Sequence, residues 1–210
     1  LNGYVNDMGK TDLNLNFFKK IGTKWSTGIL LHDDFLANKM DINKDGFRDL
    51  PTGNLFSIMN RWHYDDNKGW KIQFGFKVLN DNKTGGENTF ASKDKFTTNV
   101  YGFGMNIERE EGYAKIGYIF PEKKYKSIGL QVSASSFKQH SFFGITPYEK
   151  KKKSIYSNLI YQSIIGNTDH TFRTGISFSS DSYDEMYAAN FYHRNEIVPG
   201  AFLEYSYKMN

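Results

Sequence analysis

The sequence predicts an all-β chain, an antiparallel segment of a transmembrane β-barrel with about ten strands. Three observations predict this class. Successive runs alternate apolar and polar side chains, as strands with different surroundings on their two faces do. Aromatic residues make up 17% of the chain, which suits the aromatic girdles at the borders of a membrane. The mean hydropathy of −0.61 fits such strands because only half of their side chains face lipid.

The stretch 154–179, SIYSNLIYQSIIGNTDHTFRTGISFS, shows the pattern as a hairpin. Ile155, Leu159 and Tyr161 share one face of its first run, and Phe172, Ile176 and Phe178 share one face of its second. The link 166–169 consists of turn-forming residues. The opposite face is rich in Gly, Ser, Asn and Gln rather than charge, which favours lipid on one side and a wet lumen on the other. A soluble antiparallel sheet is equally compatible with this hairpin alone.

The same alternation predicts the other strands. It is clearest at 70–79, where every second residue from Trp70 to Val78 is large and apolar. The predicted strands lie at 1–5, 13–18, 25–31, 56–64, 70–79, 98–120, 128–134, 155–161, 172–178 and 201–207.

The segment 98–120 has two interpretations: a turn at 110–112, or one long strand of ~75 Å. Outer-membrane barrels have short turns on one side and long loops on the other. A single strand preserves this alternation, with short links at 20–23, 65–69, 121–124 and 165–169 and long ones at 32–54, 81–96, 144–153 and 184–195. We therefore expect a single strand whose membrane part is 112–120. The link 6–10 is shorter than its side predicts.

Several classes of chemistry lack their motifs. The chain has no cysteine, so disulfides, thiolate metal sites and cysteine nucleophiles are excluded. Its five histidines form no HExxH pair, and no GxSxG motif is present. The net charge of +4 is too small and dispersed to indicate nucleic-acid binding. We therefore predict that the chain is not an enzyme. Its start, LNGYVNDMGK, carries no secretion signal, so an exported protein would contain it as an internal piece.

One loop carries a candidate metal site. The run DINKDGFRD at 41–49 places side-chain oxygens of Asp41, Asn43, Asp45 and Asp49 and the backbone carbonyl of Phe47 at calcium-ligand spacing, with Gly46 at the turn. The twelfth position is Thr52 instead of Glu, so the loop is not a complete EF-hand, and Asp33 and Asp34 are nearby sources of a carboxylate. The alternative is a surface turn rich in Asp, Asn and Gly.

Aromatic residues on the predicted outer loops are the ligand-contact candidates. They are Phe142, Phe143, Tyr187, Phe191 and Tyr192, and the alternative is packing of loop on loop. The run Lys150 to Lys153 is expected to meet lipopolysaccharide phosphates or solvent. On the lumen side, Lys71, Lys77, Lys115, Arg173 and Glu204 are candidates for lining the path or contacting a plug.

Four stretches, 61–86, 113–135, 157–178 and 196–207, resemble the barrel of TonB-dependent outer-membrane receptors of the Bacteroidota, in the branch similar to cobalamin and colicin receptors. The resemblance covers nearly the whole chain. It implies a barrel of about 22 strands around an N-terminal plug. The chain shows neither plug nor TonB box and fewer than half of those strands, so residues 1–210 are expected to be a partial barrel domain without its plug.

The resemblance implies a receptor in the outer membrane of a Gram-negative bacterium. There the chain would form the wall and the extracellular mouth for TonB-energised uptake of a large, scarce nutrient such as cobalamin, a siderophore, haem or a glycan. Its partners would be lipid, lipopolysaccharide, the nutrient and, through the plug, TonB. The alternative is a self-contained barrel of about ten strands that acts as an adhesin or a surface enzyme, since an even strand count permits closure.

Overall fold

The computed structural model describes residues 1–209 as one antiparallel sheet. Each strand pairs with the next along the chain, so the ten strands follow one another in sequence order. They are β1 Asn2–Val5, β2 Thr11–Ile21, β3 Trp25–Leu36, β4 Thr52–Asp65, β5 Trp70–Gly86, β6 Gly102–Ile119, β7 Ser127–Phe143, β8 Thr146–Ile165, β9 Asn167–Tyr187 and β10 Asn190–Tyr207. The predicted all-β class and antiparallel order are confirmed.

The register aligns the alternation of each strand with that of its neighbours. Residues directly opposite each other in an antiparallel pair lie on the same face. Ile116 in β6 is opposite Ile72 in β5 and Leu130 in β7, and Leu130 is opposite Leu159 in β8. Period-two patterns in separate segments therefore combine into two contrasting faces of one sheet.

Strand β6 settles the interpretation of the segment 98–120. It runs without interruption from Gly102 to Ile119, and Gly112 pairs with Phe76 on one side and Ala134 on the other. The single strand is confirmed, and the alternative turn at 110–112 is wrong.

Two predicted loops are wrong. The connections 37–51 and 87–101 are long, but β7–β8 and β9–β10 are joined by 144–145 and 188–189 alone. The expected loops 144–153 and 184–195 are strands because the lysine run alternates between faces. Lys150 lies 2.9 Å from Glu185, and Lys152 lies 3.3 Å from Asp181. Both acids belong to β9. A charged run without apolar residues is thus held in a sheet by cross-strand ion pairs.

The sheet is a single uncovered layer. Its accessible surface is 13739 Å², whereas a compact folded protein of this mass exposes about 10,000 Å². Within residues 1–209 the buried hydrophobic side chains are Leu36, Phe90 and Phe142. In the same range β1 and β10 each have only one neighbouring strand, so the sheet is not closed into a barrel. The fold lacks a core between two layers of its own.

Helical structure plays little part in the described residues. The short 3₁₀ turn Ser92–Asp94 lies in the connection 87–101. No helix between residues 1 and 209 has the length and apolar character needed to span a membrane.

Candidate functional site

One face of the sheet, called here the apolar face, is hydrophobic across nine strands. A complete row of opposed residues crosses it from β2 to β10: Ile21, Trp25, Tyr64, Ile72, Ile116, Leu130, Leu159, Ile176 and Ala201. These side chains have no covering layer, and Ile176 is 62% exposed. Along β5 the apolar positions extend from Trp70 to Val78, which is a height of ~27 Å.

Aromatic rings border the apolar face at the end where the short turns lie. Trp25 packs against Tyr64 with ring centroids 4.7 Å apart, and Trp70 packs against Tyr118 at 4.9 Å. Further along, Tyr161 and Phe172 are 6.0 Å apart. Lys126 places its ammonium over the Tyr161 ring at 5.7 Å. Rings with one apolar and one wet side are therefore concentrated at one edge of the band.

The same face becomes polar at its other end. Glu108, Lys138, Lys151 and Asp184 occupy one row of opposed residues on β6 to β9, two residues beyond the row of Glu110 and Ser136. The strands continue past this border as a regular sheet. This polar part of the sheet is called here the outer extension. The apolar band therefore ends sharply at charged side chains.

The opposite face, called here the polar face, carries only a thin layer of side chains over its glycines. The Phe202 ring covers Gly175, where an added Cβ would lie 2.5 Å from the ring, and the Phe18 ring covers Gly28 at the same distance. Such rings lie flat along the sheet and cover the glycine backbone of the adjacent strand. Gly117 and Gly129 remain uncovered. The polar face is therefore open at Gly117 and Gly129, whereas side chains of adjacent strands lie close over Gly175 and Gly75.

The predicted lumen residues lie on this polar face. Lys71 forms an ion pair with Asp65, the residue opposite it at the end of β4. Arg173 Nη1 lies 3.6 Å from the Glu204 carboxylate, and its Nε donates to Gln162 at 2.8 Å. Lys77 and Lys115 lie on β5 and β6, where they occupy different rows of opposed residues. The five residues are therefore spread over the polar face of the sheet and form no single cluster.

The two long connections dock on each other at the far end of the outer extension. The bridge between Phe47 and Glu87 joins them, and Asn88 N donates to Gly46 O at 2.8 Å. Arg48 reaches from the first connection to the carbonyl oxygens of Phe90 at 3.0 Å and Thr84 at 3.2 Å. Burial lowers the pKa of Arg48 from its ordinary value. Arg48 also donates to the Thr52 hydroxyl at 3.2 Å. No sequence motif marks Arg48, because the carbonyl oxygens that it binds are backbone atoms.

The predicted calcium ligands lie together in this docked connection. Their carboxylates accept hydrogen bonds from the backbone: Asp41 from Asp45 N and Gly46 N at 3.0 Å each, and Asp49 from Ile42 N at 2.8 Å. Asp41 also accepts from the Asn88 side chain at 2.9 Å. Across residues 1–209, no three His, Asp or Glu side chains are grouped in a way that would hold a metal ion. Calcium binding at Asp41, Asn43, Asp45, Phe47 and Asp49 stays a prediction.

The nearby acids have other partners. Asp34 pairs with Lys10 at 2.7 Å and with Lys83 at 3.5 Å. Burial opposes its ionisation, but the hydrogen bond from Lys10 and the charge of Lys83 outweigh burial and lower the pKa of Asp34. Asp33 accepts a hydrogen bond from Asn54 at 2.8 Å. Both acids thus tie strands together in the sheet.

The five aromatic ligand candidates lie at strand ends instead of in loops. Phe142 is buried beneath the connection 87–101, whereas Phe143 points to the other face and stacks on Phe103 at 6.3 Å. Tyr187, Phe191 and Tyr192 belong to the β9–β10 tip, where Phe191 is 79% exposed. Phe191 and Tyr192 line a groove of about 310 Å³ with Asp184 and His193. The candidates therefore belong to two separate places.

Cross-strand ion pairs stiffen the outer extension on its polar face. A hydrogen bond from Ser154, with a second from Lys152, lowers the pKa of Asp181, and Lys150 lowers the pKa of Glu185. The ring of Tyr183 lies beneath three cations, with Arg194 4.3 Å from its centroid, Lys152 at 4.8 Å and Lys150 at 5.5 Å. Each of these cations has an acidic partner within 3.3 Å. The cluster is thus a neutral structural ladder.

Comparison with known proteins gives no assignment. No family model matches the chain, and no curated protein or solved structure matches it either. The faces, the borders and the docked connections of the sheet therefore carry the functional argument.

Proposed function

We propose that this chain is part of the wall of a transmembrane β-barrel in the outer membrane of a Gram-negative bacterium, with the apolar face against lipid and the polar face toward a wet lumen. The row from Ile21 to Ala201 carries this proposal. Nine aligned strands leave that row uncovered in a sheet without a core of its own. Lipid can cover this row without a second protein layer. Because lipid supplies no hydrogen bonds, the backbone groups must be paired within the protein, and neighbouring strands of a barrel pair them.

The dimensions support the same assignment. The ~27 Å of apolar positions on β5 compares with an apolar band of about 25 Å in outer-membrane barrels. Aromatic rings lie at one border of the band, where such side chains are enriched in membranes. The polar strand ends beyond the other border form the part that projects into the extracellular space.

We propose further that the barrel is a TonB-dependent receptor importing a large nutrient. The resemblance of four stretches of the sequence to such receptors motivates this step. Thin coverage of the polar face supports it, because rings lying flat on glycines leave room for a wide lumen, whereas a small barrel needs its interior filled by side chains.

The alternative, a self-contained ten-strand barrel, requires β1 to pair with β10. Within residues 1–209 each of these strands pairs only with its sequence neighbour. We therefore favour a larger barrel to which other strands contribute.

Cell fractionation and heat-modifiable migration on gels test the barrel. The intact protein should be recovered in the outer membrane and should migrate differently before and after boiling. Recovery in the cytoplasm would overturn the proposal. Uptake of labelled cobalamin, ferric siderophore, haem or oligosaccharide in wild-type and deletion strains tests the receptor function, with a strain lacking TonB as the control. If uptake of all four compounds is the same in the wild type, in the deletion strain and in the strain lacking TonB, the transport role is excluded. The proposal of a barrel would be unaffected by that result.

A further inference from the structure

The connection 87–101 covers a cleft of about 400 Å³ on the outer extension. This volume is within the range of small-molecule sites. The cleft lies on the same side of the sheet as the apolar face, about four residues or ~13 Å beyond the last apolar residue of β5. It is therefore on the opposite side of the sheet from the polar face, and no residue of the predicted calcium loop 41–49 lines it.

A straight row of polar side chains forms one side of the cleft. Asn82, Asn106, His140 and Glu149 are opposed on the four adjacent strands β5 to β8. His140 Nδ1 lies 3.5 Å from Glu149 Oε1. The Oδ1 atom of Asn106 is buried and has no hydrogen-bond partner among the described residues. A buried carbonyl oxygen without a donor is an acceptor that a water molecule or a ligand hydroxyl can satisfy.

Aromatic rings form the other side. Phe142 packs against Phe90 at 5.9 Å and against Phe96 at 5.6 Å. Phe96 has a backbone φ of 62°, a left-handed conformation that is strained for a residue with a bulky side chain. It nevertheless leaves its ring 49% exposed at the cleft. The connection thus holds an apolar ring opposite a row of hydrogen-bonding groups.

The charges in the cleft nearly cancel. The Lys95 ammonium lies over the rings of Phe142 at 4.7 Å and Phe96 at 5.3 Å, and the Glu149 carboxylate is next to His140. Lys83 lines the cleft too, but its ammonium pairs with Asp34 and Asp81. A phosphate would be repelled by the Glu149 carboxylate, and an ammonium compound would be repelled by the Lys95 ammonium. A neutral ligand would meet neither repulsion.

We propose that this cleft binds a neutral saccharide of one or two sugar units. The C–H face of a pyranose ring packs on the Phe96 ring, and its hydroxyl groups donate to Asn106 Oδ1 and to the Glu149 carboxylate. Amide and imidazole groups of Asn82 and His140 exchange hydrogen bonds with the remaining hydroxyls. This binding does not depend on the proposed barrel, because every contributing residue lies beyond the apolar band.

Calorimetric titration of the intact protein tests the proposal, with maltose, cellobiose, lactose and N,N′-diacetylchitobiose as probes and glucose 6-phosphate for comparison. At least one neutral disaccharide should bind. Asn106→Leu, which removes the acceptor, and Phe96→Leu, which removes the ring, should each weaken that binding about tenfold or more. Asn106→Asp and Phe96→Tyr keep the acceptor and the ring, and should retain most of it.

Phe103→Leu is the matched control, because Phe103 lies on β6 three residues from Asn106 but on the other face, where its ring stacks on Phe143. It should leave binding unchanged. Absence of binding by all four neutral disaccharides would overturn the proposal, as would an equal loss of binding caused by Phe103→Leu. Binding of glucose 6-phosphate alone, abolished by Lys95→Ala but not by Asn106→Leu, would replace it with an anion site. Circular dichroism and heat-modifiable migration of each variant separate these results from misfolding and from failure of the barrel.

Discussion

An arginine placed at the middle of the apolar face should be costly in proportion to its depth. Val132 lies four residues from Ile128, whose row holds the border aromatics Tyr118 and Tyr161, and four residues from Ser136, in the first polar row. Each interval is ~14 Å of strand. Val132→Arg therefore places a cation near the midplane of the proposed lipid contact, and should cost about 2–4 kcal/mol of folding free energy. This corresponds to about a 30- to 900-fold change in the folding equilibrium.

The comparison is made with two variants on the same strand. Ile128→Arg lies at the aromatic border and should cost about 0–1 kcal/mol. Ser133→Arg points to the polar face, opposite Tyr113 and Tyr156, and should cost little. Reversible urea unfolding of the intact protein in lipid vesicles, followed by heat-modifiable migration, measures all three. Equal costs at Val132 and Ser133, or no greater cost at Val132 than at Ile128, would refute the assignment of the faces.

Three further perturbations test other parts of the structure. Gly175→Ala would place a Cβ 2.5 Å from both the Phe202 ring and the Leu159 carbonyl, and should lower stability in urea titrations by about 1–3 kcal/mol. The control is Gly129→Ala, whose added Cβ has its nearest atom at 3.9 Å and should leave stability unchanged. An equal loss of stability in the two variants would show that the ring does not cover Gly175. The pKa values of Asp181 and Glu185 are lowered in the folded protein, so their contribution to stability should be complete above about pH 5 and lost as pH falls through the lowered values. Cleavage of the outer extension by pepsin should therefore rise at low pH in the wild type and change less with pH in the Asp181→Asn, Glu185→Gln double variant. Identical pH profiles would contradict the ion-pair ladder. Calcium at ~100-fold excess over its Kd should stabilise the connection 37–51 by ~2.7 kcal/mol and reduce its proteolysis. Magnesium is the control. If chelation and Asp45→Ala both leave proteolysis unchanged, the run 41–49 is a surface turn.

The strands were predictable because the face of each residue is decided locally. Alternation with period two identified β5 and the β8–β9 hairpin without any knowledge of their neighbours. The ends of β8 and β9 were not predictable in this way. Lys150 and Lys152 indicate a solvated loop when considered alone, and the acids that hold them in a sheet lie more than twenty residues further along the chain.

The docking of the two long connections was also hidden from the sequence. Arg48 binds carbonyl oxygens of Thr84 and Phe90, and every residue offers such an acceptor. The cleft next to it depends on the left-handed backbone of Phe96, which an aromatic residue rarely adopts. The calcium motif, by contrast, is visible as a sequence pattern at 41–49.

Site-directed spin labelling tests the two-faced wall most directly. The chain contains no cysteine, so a single cysteine introduced in turn at each position from 172 to 179 provides a unique labelling site in this segment. The intact protein is labelled in lipid bilayers, and collisions with oxygen, which concentrates in lipid, are compared with collisions with a water-soluble nickel complex. Positions 172, 174, 176 and 178 should favour oxygen, and positions 173, 175, 177 and 179 should favour nickel. Uniform accessibility to the nickel complex at all eight positions would contradict the proposal that this sheet is the wall of a membrane barrel.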